Sequence, residues 1–479
     1  MVAANSLAIT GLSVRDDLPE KSDTDLENTT ARDSAGATLI IVALATCLAL
    51  VVFTAPLTTL NAMTQGLSLS AGAQAWVMSG MPLGAAVGLL TAGALGDSRG
   101  RRETFLAGLW LTAASSLVSA LAPNATVLII GRVLQGLGSA GIMACGLGLI
   151  GQVFTGSRLK SAAAVWAAAL GAGVAVGPII ASLTLVIGGW RADHWLIALV
   201  STALGIAAMK PLPKSFGDRA RIDILGSVLL MAGLGALLSA LTEIRLGLTF
   251  SVVALLVASV VLLYVFVRLE KRVENPIIQL ALFRRPDFVG ATVAAFASGA
   301  GVLALMTMVP TVLERAYGMS PIVAAVVLLG WSGITAISPF TARFLPASLS
   351  SRNRVLLSMA GCLAGQLLLL LLTDGAFWGL VLPGLVVAGI ANGILNGALG
   401  QAAVESVPPE RAAMGSAANN TARYLGSSIG IAISSVLISA AGSEGLFFGW
   451  YAAILATSLF TLAGMVLMFR FGHRAAASG

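Results

Sequence analysis

The segment GALGDSRGRRE, residues 93 to 103, joins two long apolar stretches through a tight cluster of charge and glycine. Gly96 and Gly100 allow a sharp turn there, because glycine tolerates positive φ angles. The two arginines after Gly100 indicate the cytoplasmic side of a membrane by the positive-inside rule. Asp97 is then left near the mouth of a helix bundle, where the N-terminus of another helix can receive a carboxylate. The alternative is an ordinary cytoplasmic loop whose charges only set the orientation of the chain in the membrane.

The composition of the 479-residue chain indicates a protein that crosses a membrane many times. Hydrophobic residues make up 57% and charged residues 10%, whereas about a quarter of the residues of soluble globular proteins are charged. The net charge of +7 does not indicate nucleic-acid binding, because the basic residues lie in short junctions between apolar runs. The cysteines lie singly in apolar runs without metal or redox spacing. We therefore expect no metal and no other cofactor.

Apolar stretches of spanning length predict fourteen transmembrane helices. With the N-terminus in the cytoplasm, most of the 28 lysines and arginines fall on the inner side, and Arg191, Arg245 and Arg315 fall outside. This asymmetry predicts a multi-pass protein of the inner cell membrane with both termini in the cytoplasm. The predicted spans lie near residues 38–62, 74–95, 104–122, 126–153, 162–187, 193–209, 224–243, 248–267, 289–312, 320–341, 355–372, 378–403, 414–440 and 447–470.

An internal similarity divides these spans into two sets of six with two extra spans between them. The fourth span, GRVLQGLGSAGIMACGLG from Gly131, aligns without gaps with PGLVVAGIANGILNGALG from Pro383, as expected for a transporter built from repeats. Chance similarity between glycine-rich helices is the alternative. The predicted units are a disordered cytoplasmic tail (1–36), an N-terminal six-helix half (37–209), linkers with two extra helices (210–287), a C-terminal six-helix half (288–471) and a second tail (472–479).

Three motifs resemble patterns of the major facilitator superfamily. The opening segment resembles the loop G-x-L-a-D-r-x-G-r-k between its second and third helices, and Arg132 with Gln135 resembles R-x-x-q-G in its fourth helix. The fifth span resembles the exporter pattern G-x-x-x-G-P-x-x-G-G, although Ala181 and Ser182 replace its last glycines, and a packing face with a chance proline is the alternative. The matching positions of the first and third motifs are Gly93, Leu95, Asp97, Gly100, Arg101, Arg102, Gly173, Gly177 and Pro178.

The resemblance extends over nearly all of residues 38–470. In detail, the chain is similar to the fourteen-helix drug:proton antiporter family. It rests on the segments ENPIIQLALFRRPDF, VLERAYGMSPIVAAVVLL and VPPERAAMGSAANNTARYLGSSIG. It implies an all-α polytopic membrane protein with the major facilitator fold, in which two six-helix halves and two extra helices make 14 transmembrane helices. The chain departs from the family at Phe53, where the first span usually has an aspartate.

The function implied by this resemblance is secondary active export of amphipathic or hydrophobic organic compounds by alternating access, through proton-coupled antiport. We expect a monomer that contacts membrane lipid and has no enzymatic activity. An enzyme would need convergent catalytic groups, but His194 is predicted in an outer loop and His473 in the C-terminal tail. A channel or a sensor without transport is the less favoured alternative.

The predicted substrate cavity lies between the two halves. Polar side chains in the middle of a span are energetically costly to bury in lipid and often bind a substrate. The alternative role is interhelical hydrogen bonding, worth ~0.6 kcal/mol for each bond. The candidate cavity residues are Arg132, Gln135, Asn392, Asn396, Phe296, Trp331 and Asn419. The resemblance also implies a conformational switch, in which Asp97 docks against the segment from Arg411 to Gly415 when the transporter faces outward. Its other members are the motif residues Gly93, Gly100, Arg101, Arg102, Gly173, Gly177 and Pro178.

Proton coupling needs a buried carboxyl group that is exposed alternately to each side of the membrane. No acid is predicted in the middle of any span, and Asp193 is predicted in an outer loop. Glu314 and Glu243 remain as candidates near the outer boundary, with Glu314 favoured because it lies in a six-helix half. Each has an arginine nearby in sequence, so an interfacial ion pair is the alternative. The competing function is transport of a lipid or metabolite down its own gradient, with Arg132 holding an anionic group.

Overall fold

The computed structural model describes residues 23–214, 223–244, 248–273, 276, 280–338, 349–407, 412–440 and 445–477. Within these ranges the chain is helical and has no strand. Its helices are α1 (Asp23–Thr54), α2 (Pro56–Leu67), α3 (Ala71–Arg99), α4 (Arg101–Ala120), α5 (Ala125–Val153), α6 (Gly156–Ala208), α7 (Ile224–Glu243), α8 (Phe250–Glu270), α9 (Pro286–Ser298), α10 (Ala304–Tyr317), α11 (Pro321–Ile337), α12 (Ser351–Leu368), α13 (Val381–Glu405), α14 (Ala412–Ala440) and α15 (Leu446–Ala477).

The predicted count of fourteen spans is confirmed in the described ranges. Eleven stretches are long and apolar enough to cross a membrane. One of them, within α6, contains two spans, because Gly188 and Gly189 leave helical geometry, with φ of 70° at Gly189. The shorter α11 and the less apolar α4 complete the set. Two spans are bent, since α1 meets α2 at Pro56 and a π-helical turn, Gly299–Leu303, joins α9 to α10.

Helix α1 begins at Asp23, inside the segment that is predicted from the sequence to be the N-terminal tail.

Here α1–α6 are named the N-terminal half and α9–α15 the C-terminal half. The end of the bundle that contains Gly100 is named the inner end, and the opposite end the outer end. Leucine, valine and isoleucine side chains are exposed along many helices, which is the surface that a lipid bilayer solvates.

The two extra helices, α7 and α8, pack against each other beside the junction of the two halves. Helix α7 contacts both α3 and α14, through an apolar cluster that includes Leu83, Leu234 and Ala432. The hydroxyl groups of Thr91 and Ser227 also lie 2.8 Å apart. Helix α7 therefore covers a seam between the halves, while α8 leaves Val257 and Val260 exposed on the outside.

Close packing of α1 against α6 depends on two glycines of the exporter-like motif. A Cβ atom at Gly173 would overlap the carbonyl oxygen of Cys47, and one at Gly177 would overlap the hydroxyl of Thr54. The carbonyl of Pro178 accepts a hydrogen bond of 3.1 Å from the Thr58 hydroxyl. Because small residues let helix backbones approach closely, this surface joins the first span to the fifth.

Substituting Gly173 by alanine is expected to lower the stability of the folded protein by about 1–3 kcal/mol, the usual cost of overpacking a tight contact. The backbone of α1 cannot move away without disturbing its other contacts. Thermal unfolding of the purified protein in detergent measures the effect. The matched control is Gly400→Ala in α13, where an added Cβ meets no atom within 4 Å. Equal unfolding temperatures for the two variants would contradict the prediction.

Candidate functional site

The two halves are joined at the outer end by a group of polar side chains. Asn61 of α2 donates a 2.6 Å hydrogen bond from Nδ2 to Oε2 of Glu314 in α10. Arg315 donates a 2.9 Å hydrogen bond from Nη2 to Oε1 of Gln74 in α3. Both bonds run from one half to the other. We name these four residues the outer clasp.

Apolar contacts close the middle of the bundle beneath the clasp. The ring of Phe53 in α1 packs edge to face against Tyr424 in α14, with 6.3 Å between ring centroids. The Tyr424 hydroxyl donates to the Met143 sulfur at 3.6 Å. Nearby, the Ser428 hydroxyl donates to the Ser79 carbonyl at 3.0 Å. Phe53, which stands where the resemblance implies an aspartate, thus contributes an apolar contact between the halves.

A cavity of about 660 Å³ lies at the inner end, between α3, α5 and α6 of the N-terminal half and α14 of the C-terminal half. Its walls are mostly apolar, with Met143 and Trp166 among them, and Gly93 of the opening segment lies on its surface. Because Met143 also contacts Tyr424, the cavity reaches the central closure. The side chains that line it from the remaining positions include Leu89, Leu90, Ala94, Arg101, Leu147, Gln152, Leu159, Leu170, Ser416 and Asn420.

Arg423 supplies a cation to the wall of this cavity from α14. Its Nη1 donates to Oδ1 of Asn396 at 3.0 Å, and its Nη2 donates to Oδ1 of Asn420 at 3.1 Å. Its Nε is buried and has no hydrogen-bond partner. Arg423 lies within the predicted span 414–440, and an ionisable group inside a span is itself a signal of function.

The predicted cavity residues do not lie together on this surface. Asn396 does not line the cavity itself but accepts a hydrogen bond from Arg423, which does. Phe296 packs edge to face against Phe460 with 6.3 Å between ring centroids. Asn419 is buried and donates to the Ala291 carbonyl at 3.1 Å. Arg132, Gln135, Asn392 and Trp331 are buried as well. The substrate contacts of all seven stay a prediction.

Arg132 is the centre of a buried polar cluster inside the N-terminal half. Its Nη1 donates to the Val52 carbonyl and to Oε1 of Gln135, both at 2.8 Å, and its Nε donates to the Val77 carbonyl at 3.2 Å. The Val52 carbonyl faces a position four residues later, Pro56, that has no N–H to donate. Arg132 therefore satisfies the carbonyl that the bend between α1 and α2 leaves free.

The prediction that Asp193 and His194 lie in an outer loop is wrong. The turn occurs earlier, at Gly188 and Gly189, so both residues fall within α6, and both side chains are 0% exposed. His194 lies beside the Arg132 cluster, with its Nδ1 3.5 Å from Nε2 of Gln135. A signal existed in the run RADHWLIALV, where both residues directly precede an apolar stretch.

The residues of the predicted switch are only partly described. Gly100 separates α3 from α4 with φ of 114°, a backbone conformation that favours glycine. The Arg102 guanidinium donates to the Met209 carbonyl and lies 3.1 Å from the Glu103 carboxylate. Asp97 belongs to α3. Arg411 lies outside the described residues, so docking between Asp97 and the start of α14 stays a prediction.

The two predicted coupling acids lie in different surroundings. Glu314 is half-buried in the outer clasp, and its Oε1 is buried without a hydrogen-bond partner. The hydrogen-bond partner of Glu314 is Asn61, and the neighbouring Arg315 donates to Gln74 and to Oδ1 of Asn61 rather than to Glu314. Glu243 lies at the end of α7 and accepts a 3.3 Å hydrogen bond from Ser251 at the exposed edge of the two extra helices. Glu314 therefore joins the halves, whereas Glu243 does not.

Comparison with known proteins places this arrangement among transporters. The family model described as Major Facilitator Superfamily matches residues 42–221 and 222–431. The chain is 29% identical to the multidrug resistance protein Stp of Mycobacterium tuberculosis, over 76% of this chain and 68% of that protein. It is 28% identical to the tetracenomycin C resistance and export protein of Streptomyces glaucescens, over 79% and 71% of the two chains. The crystal structure of the POT family transporter PepTSo shares the fold, with a TM-score of 0.62 and 14% identity over 90% of this chain and 98% of that one.

Proposed function

Because this chain belongs to the Major Facilitator Superfamily, we propose that it exports amphipathic or hydrophobic organic compounds from the cell in exchange for protons. It is a multi-pass membrane transporter of small organic molecules and not an enzyme. The proposal includes a monomer in the inner cell membrane, surrounded by lipid, with both termini in the cytoplasm. The names of the relatives support the direction, since one is a multidrug resistance protein and another an export protein.

The observation that carries the proposal is the inner cavity together with the closed outer end. An alternating-access transporter must open to one side while it is closed to the other. Here a cavity of about 660 Å³ lies at the inner end, within the usual range of ~300–1,000 Å³ for small-molecule sites. The outer clasp and the contact between Phe53 and Tyr424 separate it from the opposite side. This is the conformation in which an exporter takes up its substrate.

The cavity walls support an amphipathic substrate. Apolar side chains such as Leu89 and Trp166 can bury a hydrophobic body, while Arg423 presents a cation held by two asparagines. A guanidinium binds acidic and hydrogen-bond-accepting groups well. We therefore favour compounds that join an apolar body to an acidic or acceptor group.

Proton coupling is supported by the position of Glu314. Its carboxyl group is half-buried and forms one of the bonds that hold the halves together at the outer end. A change in its charge alters that bond and so biases the opening of the outer end. Glu243, the second candidate, makes no bond between the halves among the described contacts.

Flux through purified protein in liposomes tests the proposal. Two fluorescent amphipathic dyes, anionic anilinonaphthalene sulfonate and cationic ethidium, are followed with and without an imposed pH gradient. We expect saturable movement of the dye without chemical change. The dye should move faster when protons flow in the opposite direction. Flux that ignores the gradient would leave the competing function, transport of a lipid or metabolite down its own gradient. Ionic conductance would instead indicate a channel, and no flux of either dye would contradict broad export.

Substitution of Asp97 by asparagine is expected to reduce transport while the protein remains folded. A carboxylate at a helix N-terminus gains ~0.3–1 kcal/mol, so its loss lowers the outward-facing population about two- to fivefold. The measurement is dye efflux from cells with matched expression of each variant. The control is Asp374→Asn, an acid in an exposed turn between α12 and α13. Wild-type efflux by the Asp97 variant would refute the docking model.

A further inference from the structure

Asp193 is a buried acid for which the mechanism above has no use. It lies in α6 shortly after the break at Gly189, its side chain is 0% exposed, and neither carboxyl oxygen has a hydrogen-bond partner. An ionised carboxylate without donors is very costly away from water. The lower-cost state in this conformation is the neutral acid, which holds a proton.

A cation that can stabilise the ionised carboxylate belongs to the adjacent polar cluster. Arg132 of α5 bonds Gln135, which lies 3.5 Å from His194, the residue next to Asp193, and Nη2 of Arg132 is buried with no hydrogen-bond partner. The guanidinium is instead held by Val52, Val77 and Gln135. A cation with a spare donor and an acid with two spare acceptors are thus buried together but not joined.

Few other ionisable groups surround this acid in the described part of the chain. His194 of α6 is buried with an unpartnered Nε2, and its Nδ1 lies 3.5 Å from Nε2 of Gln135. Arg191 of α6 donates to the Ala122 carbonyl and lies over the Trp190 ring. From α4 comes the Ser116 hydroxyl, bonded to Gln135. Helices α2 and α11 carry no charged residue, and the charged residues of α1 and α4 lie towards the inner end.

We propose that Asp193 is a second proton-binding residue, which holds a proton while Arg132 is bound to Val52 and releases it when Arg132 turns to pair with it. In the release step the carboxyl O–H bond breaks, the proton passes to water, and the carboxylate forms an ion pair with the guanidinium. The inference rests on the proposed function only in taking the proton as the coupling ion.

The bend between α1 and α2 gives this exchange a structural trigger. The Val52 carbonyl is available to Arg132 because Pro56 has no N–H for it. A shift of α1 at this bend withdraws the acceptor, and the freed donors then turn to Asp193. Helix α2 also carries Asn61 of the outer clasp. Proton binding at Asp193 is therefore linked to the helix that contacts the other half.

Infrared spectroscopy of the purified full-length protein tests the proton directly and needs no substrate. The protein is labelled with heavy carbon at the aspartate side-chain carboxyl, and spectra are compared on both sides of neutral pH. We expect a C=O band of a protonated carboxylic acid that shifts with the label, is absent from Asp193→Asn, and persists in Glu314→Gln and Asp374→Asn. Absence of any label-sensitive band in the unmutated protein, or its persistence in Asp193→Asn, overturns the proposal. If Asp193→Asn does not fold, Asp193→Glu takes its place, because its glutamate carboxyl carries no label and the label-sensitive band should then be absent.

Flux measurements separate this inference from the proposed function. In liposomes Asp193→Asn is expected to keep exchange of anilinonaphthalene sulfonate but to lose its dependence on the pH gradient. Gradient dependence equal to wild type in that variant overturns the coupling role of Asp193. A wild-type protein that ignores the gradient contradicts proton antiport itself, and the infrared band then still decides whether Asp193 binds a proton.

Discussion

Replacing Arg132 by leucine is expected to lower the free energy of unfolding by about 2–6 kcal/mol, since it leaves two buried acceptors without a partner at ~1–3 kcal/mol each. The substitution removes the donors to the Val52 carbonyl and to Oε1 of Gln135. Pro56 offers no backbone donor in compensation. Denaturation of the detergent-solubilised protein, followed by its tryptophan fluorescence, measures the change.

The matched control for this prediction is Arg268→Leu at the end of α8. Arg268 is exposed and bonds only its neighbour Tyr264 among the contacts described, so its loss should have little effect on stability. Arg132→Lys should fall between the two, because an ammonium keeps the charge but lacks the planar fork of donors. Unfolding of Arg132→Leu at the wild-type midpoint would show that the cluster adds no stability.

Replacing Glu314 by glutamine is expected to remove the effect of a pH gradient on dye flux while exchange of dye between the two sides continues. The amide keeps a polar group opposite Asn61 but can no longer change its charge. Gradient-driven flux should fall about 5- to 150-fold, the factor that corresponds to typical coupling free energies of ~1–3 kcal/mol. The measurement is anilinonaphthalene sulfonate flux into liposomes that contain equal amounts of each variant.

Glu243→Gln is the control for the coupling prediction. Glu243 is the other acid that the sequence indicates, but it lies at the end of α7 and bonds Ser251 within the extra pair of helices. We expect its variant to follow the gradient as wild type does. Loss of coupling in Glu243→Gln with normal coupling in Glu314→Gln would reverse the assignment. Normal coupling in both variants would exclude both acids and leave Asp193 as the candidate.

The positions of the helices could be predicted from the sequence alone because a membrane allows few backbone structures. Each spanning segment must bond its own N–H and C=O groups internally, which only a helix of about 20 apolar residues can do within one segment. The information is therefore local, and the prediction for residues 224–243 coincides with α7. The resemblance of the opening segment, from Gly93 to Glu103, indicated the family for a similar reason, since its turn and charges lie within eleven consecutive residues.

Tertiary structure decided which polar groups meet, because these contacts join residues that are distant in sequence. Asn61 and Glu314 are 253 positions apart, and no local pattern in either helix specifies the other as a partner. The burial of Asp193 likewise depends on where α6 bends at Gly189, and its surroundings depend on how α5 and α6 pack the Arg132 cluster against His194. Hydropathy averaged over a segment indicates whether that segment lies in lipid or in water, and it therefore located the spans. The sites depend on packing between helices, which fixes the solvent and the partners of each individual side chain.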